Sequence, residues 1–122
     1  MGEQSVLETF DNPAREAYVI EHLAEEFTSL CPMTGHPDFG IVTIRYEPRH
    51  TCVELKSLKT YLQGFRDEGI FYEALTNRIR DDLVRVLEPV WLQVRTDWRG
   101  RGGIRSTIRA DHGPVPTHFL GT

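Results

Sequence analysis

The segment Leu30-Cys31-Pro32-Met33-Thr34-Gly35-His36-Pro37-Asp38-Phe39 places one cysteine and one aspartate on either side of a Pro- and Gly-rich turn. A thiol nucleophile with a nearby acid is the smallest kit for covalent chemistry on an electrophilic carbon. Pro32, Gly35 and Pro37 forbid a regular helix, so an irregular loop is expected here, one that holds two side chains at a set separation. Taken alone, Cys31 reads more readily as a small buried hydrophobe, and Asp38 as a turn-forming or capping residue. His36 either tunes the thiol or is an exposed loop histidine. Cys52 reads as structural.

A second cluster follows at Val53-Glu54-Leu55-Lys56-Ser57-Leu58-Lys59-Thr60-Tyr61. Two cations and a hydroxyl on about one helical turn suit a 2′-phosphate or pyrophosphate, although paired lysines on a helix are more often a solvated face. Phe71-Tyr72-Glu73 and Arg101-Gly102-Gly103-Ile104 complete the set. In this order, from about Phe27 to Ile108, the four motifs resemble those of the NADPH-dependent 7-cyano-7-deazaguanine reductases. These are the nitrile reductases of queuosine biosynthesis, here in their short, single-module form.

The resemblance implies roles. Cys31 is the nucleophile that forms a thioimide, and Asp38 the proton donor. Val53, Glu54, Leu55, Tyr72 and Glu73 meet the deazaguanine. Lys56, Ser57 and Lys59 hold NADPH, and the Arg101-Gly102-Gly103 turn adds a cofactor or intersubunit contact. The chemistry agrees with the residue types. Thiolate addition makes the nitrile carbon a hydride acceptor, and the nitrogen needs a positioned acid as the thiolate adds. A carboxylate such as Glu73 accepts well from the N–H edge of a purine-like ring; its plainer reading is a first-turn glutamate facing the helix dipole. Phe71 either packs on that ring or belongs to the core. Many members of the family have His where this chain has Tyr72; a phenol still donates a hydrogen bond but does not titrate near neutral pH. Thr60 is a smaller departure. No G-x-G-x-x-G occurs, so no Rossmann-type site is expected.

Composition narrows the remaining options. With 122 residues, 39% hydrophobic and 26% charged, one soluble domain spanning 1–122 is expected. A net charge of -4 argues against a nucleic-acid binder. Arg95, Arg99, Arg101, Arg105 and Arg109 form a local basic run, read as a solvated face in preference to a phosphate site. Two cysteines make neither a disulfide framework nor a zinc site, and the five histidines have no ligand spacing, so no metal is expected. No secretory signal and no membrane-length apolar run is read, and a cytoplasmic, reducing location suits a working thiol.

The periodicity supplies the elements. Residues 1–17 read as a loosely held arm. Tyr18 to Phe27 alternates imperfectly, with Tyr18, Ile20 and Leu23 able to enter a strand, and Gly40 to Tyr46 alternates well. Leu55, Leu58, Leu62 and Phe65 fall at helical spacing, in a helix ending before Gly69. A second helix carries Phe71, Leu75, Ile79, Leu83 and Val86 and stops at Glu88-Pro89. Two strands, 92–98 and 104–110, flank a glycine-rich hairpin turn, and the tail from Gly113 reads as irregular. The order is α+β, an antiparallel sheet with two consecutive helices on one face. By resemblance this is the tunnelling fold shared with GTP cyclohydrolase, whose subunits join their sheets into a barrel. A homo-oligomer is therefore expected, with two stacked pentamers as the family precedent and active sites between subunits. Two rival readings stay open. One is an amidinotransferase resembling the archaeal relatives that add ammonia to a nitrile on tRNA, which lack the Glu-x-Lys-Ser-x-Lys motif. The other is a non-catalytic purine-binding or redox-sensing module of the same fold.

Overall fold

The computed structural model describes residues 4–119. Four long strands form one antiparallel sheet: β2 (Ile20–Leu30), β3 (Pro37–Glu47), β5 (Trp91–Arg101) and β6 (Ile104–His112), in the order β2-β3-β5-β6. Two helices, α1 (Leu55–Gln63) and α2 (Tyr72–Leu87), lie between β3 and β5 in the chain, as their 3.6-residue spacing predicts. They pack on one face of the sheet. There Phe27, Val42, Ile44, Tyr46, Val94 and Trp98 meet Leu58, Tyr61, Phe65, Leu75, Ile79 and Leu83 in a single buried cluster.

The arm before Tyr18 is held more firmly than its composition suggests. Thr9–Asp11 (β1) pairs antiparallel with Thr51–Val53 (β4), the amide of Glu54 donates to the carbonyl of Glu8, and Leu7 is buried in the core. Three-residue strands are too short to show a period, so neither was expected. Leu55 and Phe71, which the helical spacing assigns to the core, are 61% and 56% exposed. Each sits at the start of its helix, before the helix docks on the sheet.

Two β-bulges shape the functional end of the sheet. Ala24 pairs with Val42 but Phe27 pairs with Gly40, so β2 carries one extra residue at Glu25-Glu26. Trp98 pairs with Ser106 but Arg101 pairs with Ile104, so β5 also carries one extra residue. Because side chains alternate with a period of two, each inserted residue moves everything beyond it to the opposite face. Phe27 and Ser29 thereby turn inward, and Arg101 leaves the face of Arg95 and Asp97 for that of Trp98. The hairpin between β5 and β6 closes through Gly102 (φ 56) and Gly103 (φ 82), both in the left-handed region as a two-residue type I′ turn requires.

Trp98 is the large side chain at this end. It lies directly opposite Gly40, where an added Cβ would stand 2.7 Å from the Asp97 carbonyl oxygen and 2.9 Å from the indole ring. The indole also meets Phe27 edge-on and stacks on Tyr72 at 4.0 Å and 7°. Its N–H donates to Thr96 Oγ1 (2.9 Å), Thr96 and Thr76 share a 2.7 Å hydroxyl contact, and Thr76 donates to the Tyr72 carbonyl (2.7 Å). This buried relay fastens the first turn of α2 to β5. Gly40→Ala is expected to overpack the site and lower stability by about 1–3 kcal/mol, with a change in the Trp98 emission that follows the same unfolding midpoint; thermal and urea unfolding check both.

Candidate active site

The residues that could do chemistry converge on the β2–β3 hairpin. Ser29 pairs with Asp38 and Leu30 with Pro37, leaving 31–36 as the loop. The loop is closed by hydrogen bonds from the Cys31 amide to the His36 carbonyl and from the Gly35 amide to the Cys31 carbonyl, both 2.8 Å. Gly35 accommodates this closure at φ 74. Asp38 is therefore a strand residue and not a loop one. Its even position puts it on the inner face with Val42 and Ile44, and it is 4% exposed. Cys31 follows Phe27 and Ser29 on that face because of the bulge in β2.

The loop is anchored from the other side by the connection between the helices. The Leu30 amide donates to the Glu68 carbonyl (3.0 Å) and the Ile70 amide to the Leu30 carbonyl (3.1 Å). Glu68 in turn pairs with Arg78 of α2 at 2.5 Å, and that guanidinium lies over the Phe65 ring. The start of α2, and with it Tyr72, is thus held beside Cys31.

Four side chains meet here: Cys31, Asp38, Tyr72 and Arg101. Arg101 Nη2 faces Asp38 Oδ1 in a close ion pair that lacks the alignment of a hydrogen bond. The Tyr72 phenol faces the Asp38 carboxylate. Its pKa is raised, first by burial and then by the neighbouring Asp38 carboxylate, so it remains proton-bearing across the neutral range. Cys31 is partly exposed. Its thiol is held below the usual range, first by the Thr34 hydroxyl, then by the amides of Thr34 and Met33, with partial burial opposing and the Arg101 charge assisting. A depressed thiol next to a buried carboxyl is the arrangement of an activated nucleophile with an acid–base partner.

The second cluster lies elsewhere on the same chain. Glu54 caps α1, its two carboxylate oxygens accepting from the amides of Lys56 (2.7 Å) and Ser57 (2.8 Å), which lowers its pKa. Val53 is buried and its amide donates to the Tyr46 hydroxyl (3.0 Å). Ser57 is buried too: its hydroxyl donates to the Glu54 carbonyl and accepts from the Glu8 amide. Lys56 and Lys59 are exposed. With Glu54, Leu55 and Arg66 they line a groove of about 750 Å³ between α1 and β2, which none of Cys31, Asp38, Tyr72 and Arg101 lines. Glu73 is exposed on the first turn of α2, next to Tyr72.

Arg101 and Trp98 are the site residues that motif reading undervalues. Strict alternation places Arg101 with the solvated arginines, and only an allowance for a bulge at Arg99-Gly100 brings it inward. For Trp98, the signal is its position across from a glycine. From the geometry of Cys31, iodoacetamide is expected to label Cys31 ahead of buried Cys52. Thr34→Val, which removes the leading stabiliser of the thiolate, is expected to move that labelling to higher pH; peptide mass spectrometry across a pH series checks both.

The sequence pattern of the family described as "QueF-like protein" matches residues 37–116, from the Asp38 strand through the Arg101 turn. A protein of Chlorobium luteolum named "NADPH-dependent 7-cyano-7-deazaguanine reductase" is 56% identical over 111 residues, 89% of this chain and 95% of that one. A protein of Rhodopirellula baltica with the same name is 54% identical over 106 residues, 86% and 88% of the two chains. The crystal structure of an archaeosine synthase QueF-Like in the apo form superposes with a TM-score of 0.72 over 84% of this chain and 99% of that one. At 19% identity that likeness concerns the fold, and it agrees with the α+β tunnelling topology of one chain. With the pattern covering most of the chain and relatives matching nearly end to end, the chain belongs to the QueF-like protein family, alongside reductases of this name.

Proposed function

We propose that the protein is an NADPH-dependent oxidoreductase that reduces the nitrile of 7-cyano-7-deazaguanine to the aminomethyl group, within queuosine biosynthesis. The observation that carries this reading is the meeting of a depressed thiol, Cys31, with the buried carboxyl of Asp38 and the phenol of Tyr72. The near-full-length relatives named as such reductases give the substrate.

In this mechanism Cys31 Sγ bonds to the nitrile carbon, one π bond of the C≡N group breaks, and the nitrogen takes its proton from Asp38. The product is a covalent thioimide on Cys31. Nitrile-to-amine reduction takes two hydrides, which two NADPH molecules bound in turn at this site would supply, one each. The bond from Cys31 Sγ to carbon breaks between the two reductions, and Asp38, beside Tyr72, is the acid–base group within reach. Val53, Glu54, Leu55, Tyr72 and Glu73 orient the deazaguanine, with the carboxylates accepting from its N–H edge.

The groove beside α1 suits a dinucleotide. Lys56, Lys59 and Arg66 supply cations at its rim, while Ile44, Leu58 and Leu62 supply an apolar wall. Lys56 and Lys59 hold the phosphates, and Ser57 contributes by fixing the turn from which they project. The working unit is a homo-oligomer of two stacked pentamers in a reducing cytoplasm, where a neighbouring copy brings the 53–59 segment to the Cys31 cluster. Support for assembly comes from the outer strands β2 and β6, which have no further strand beside them among the described residues, and from exposed Leu23, Leu55, Phe71 and Ile104. The intact Lys56-Ser57-Leu58-Lys59 run favours the reductase over ammonia transfer.

NADPH oxidation by the purified protein is expected to depend on 7-cyano-7-deazaguanine and to vanish in Cys31→Ala and Asp38→Asn. Removing either lysine is expected to raise the KM for NADPH about tenfold, since a charged hydrogen bond is worth about 1.5 kcal/mol or more. Steady-state absorbance assays check all of these. Well-folded, oligomeric protein that oxidises no NADPH with the nitrile present contradicts the assignment.

A further inference from the structure

We infer that Arg101 is a third catalytic residue, a fixed cation that stays in reach of the negative charge as it passes from Cys31 to Asp38. This rests on the reading above of Cys31 and Asp38 as nucleophile and acid. Before addition, one negative charge is shared between the two groups: either Sγ is a thiolate and Asp38 carries the proton, or the reverse. As Sγ bonds to the electrophilic carbon and a π electron pair moves to the nitrile nitrogen, that nitrogen takes the proton of Asp38. The charge that left Sγ now resides on the Asp38 carboxylate. A cation that served only the thiolate would oppose the transfer, and one that served only Asp38 would do nothing to form the thiolate; one placed between both ends stabilises the start and the finish of the step without moving, and a preorganised charge of this kind is effective where charge develops.

Arg101 has that placement. It forms an ion pair with buried Asp38, and its positive charge acts on the neighbouring Cys31 thiol, favouring the thiolate. The bulge in β5 is what turns it inward, since without the extra residue it would point away with Arg95 and Asp97. Other groups around the pair do not supply a positive charge. Ser29, from β2, is neutral and faces Asp38; Thr34 and the loop amides face the thiol; His36 touches Cys31 through its backbone carbonyl; Tyr72, from α2, is a neutral donor. Arg78 of α2 pairs with Glu68. Among the described charged groups, Arg101 is thus the cation that borders both reacting side chains.

The test uses reactions that need no NADPH, so a role in holding the cofactor does not enter. In oligomeric Arg101→Met and Arg101→Gln, with folding checked by circular dichroism, iodoacetamide labelling of Cys31 is expected to shift to higher pH. The covalent adduct with 7-cyano-7-deazaguanine is expected to form about tenfold more slowly at neutral pH, the lower end of what loss of an adjacent opposite charge produces for a half-exposed cation. Arg101→Lys, which keeps the charge, is expected to retain most of both. Unchanged labelling and unchanged adduct rate in the neutral variants overturn the inference, even if their KM for NADPH rises. If wild-type protein forms no adduct, the substrate reading fails instead, and the labelling profile alone still decides whether Arg101 acts on the thiol.

Discussion

The site depends on a matter of register. An extended strand shows its side chains to alternate faces, so a regular β2 and a regular β5 would carry Cys31 and Arg101 away from the inner face on which Asp38 sits. One extra residue in each of the two strands flanking β3 reverses the alternation near its end. The same face then presents a thiol, a carboxyl and a guanidinium, each from a different strand or strand end. The bulges lie where the sheet meets the start of α2, which adds the phenol of Tyr72.

What keeps this end of the sheet rigid is Trp98. Its indole lies across Gly40, presses edge-on against Phe27 and stacks on Tyr72, while its N–H begins the threonine relay that ends on the Tyr72 carbonyl. Burying an indole and two threonines is favourable only because each polar atom in that chain has a partner. The arrangement therefore has little freedom to shift, and the Tyr72 hydroxyl inherits that rigidity where it meets Asp38. On the opposite side the ion pair of Glu68 with Arg78 and the short pairing around Leu30 hold the Cys31 loop. Cys31 and Asp38 are held by different elements, so their separation reflects the packing of the whole domain.

Much of this was readable from the chain, and the exceptions have physical causes. Alternation marks β3, β5 and β6, and helical spacing marks α1 and α2, because each buries one face against the same core. The imperfect alternation from Tyr18 to Phe27 is the trace of a bulge, with Glu25 and Glu26 both turned outward. β1 and β4 left no trace, since three residues show no period and their pairing is with each other across the chain. Asp38 looked like a loop residue because Pro37 precedes it, yet proline is tolerated at a strand's first position. The motifs pointed to Cys31, Asp38 and Tyr72, which the fold brings together. They could not reveal that Glu54 and Ser57 are engaged in capping and bracing α1, because those hydrogen bonds depend on how the arm at Glu8 docks.

The most direct test of the account is where the nitrile attaches. Protein incubated with 7-cyano-7-deazaguanine and no reductant, then digested and mapped by mass spectrometry, should carry one added nitrile mass on the peptide containing Cys31 and none on that containing Cys52. An unmodified Cys31 in protein saturated with the nitrile, or modification confined to Cys52, would contradict the assignment of the β2–β3 hairpin as the catalytic centre.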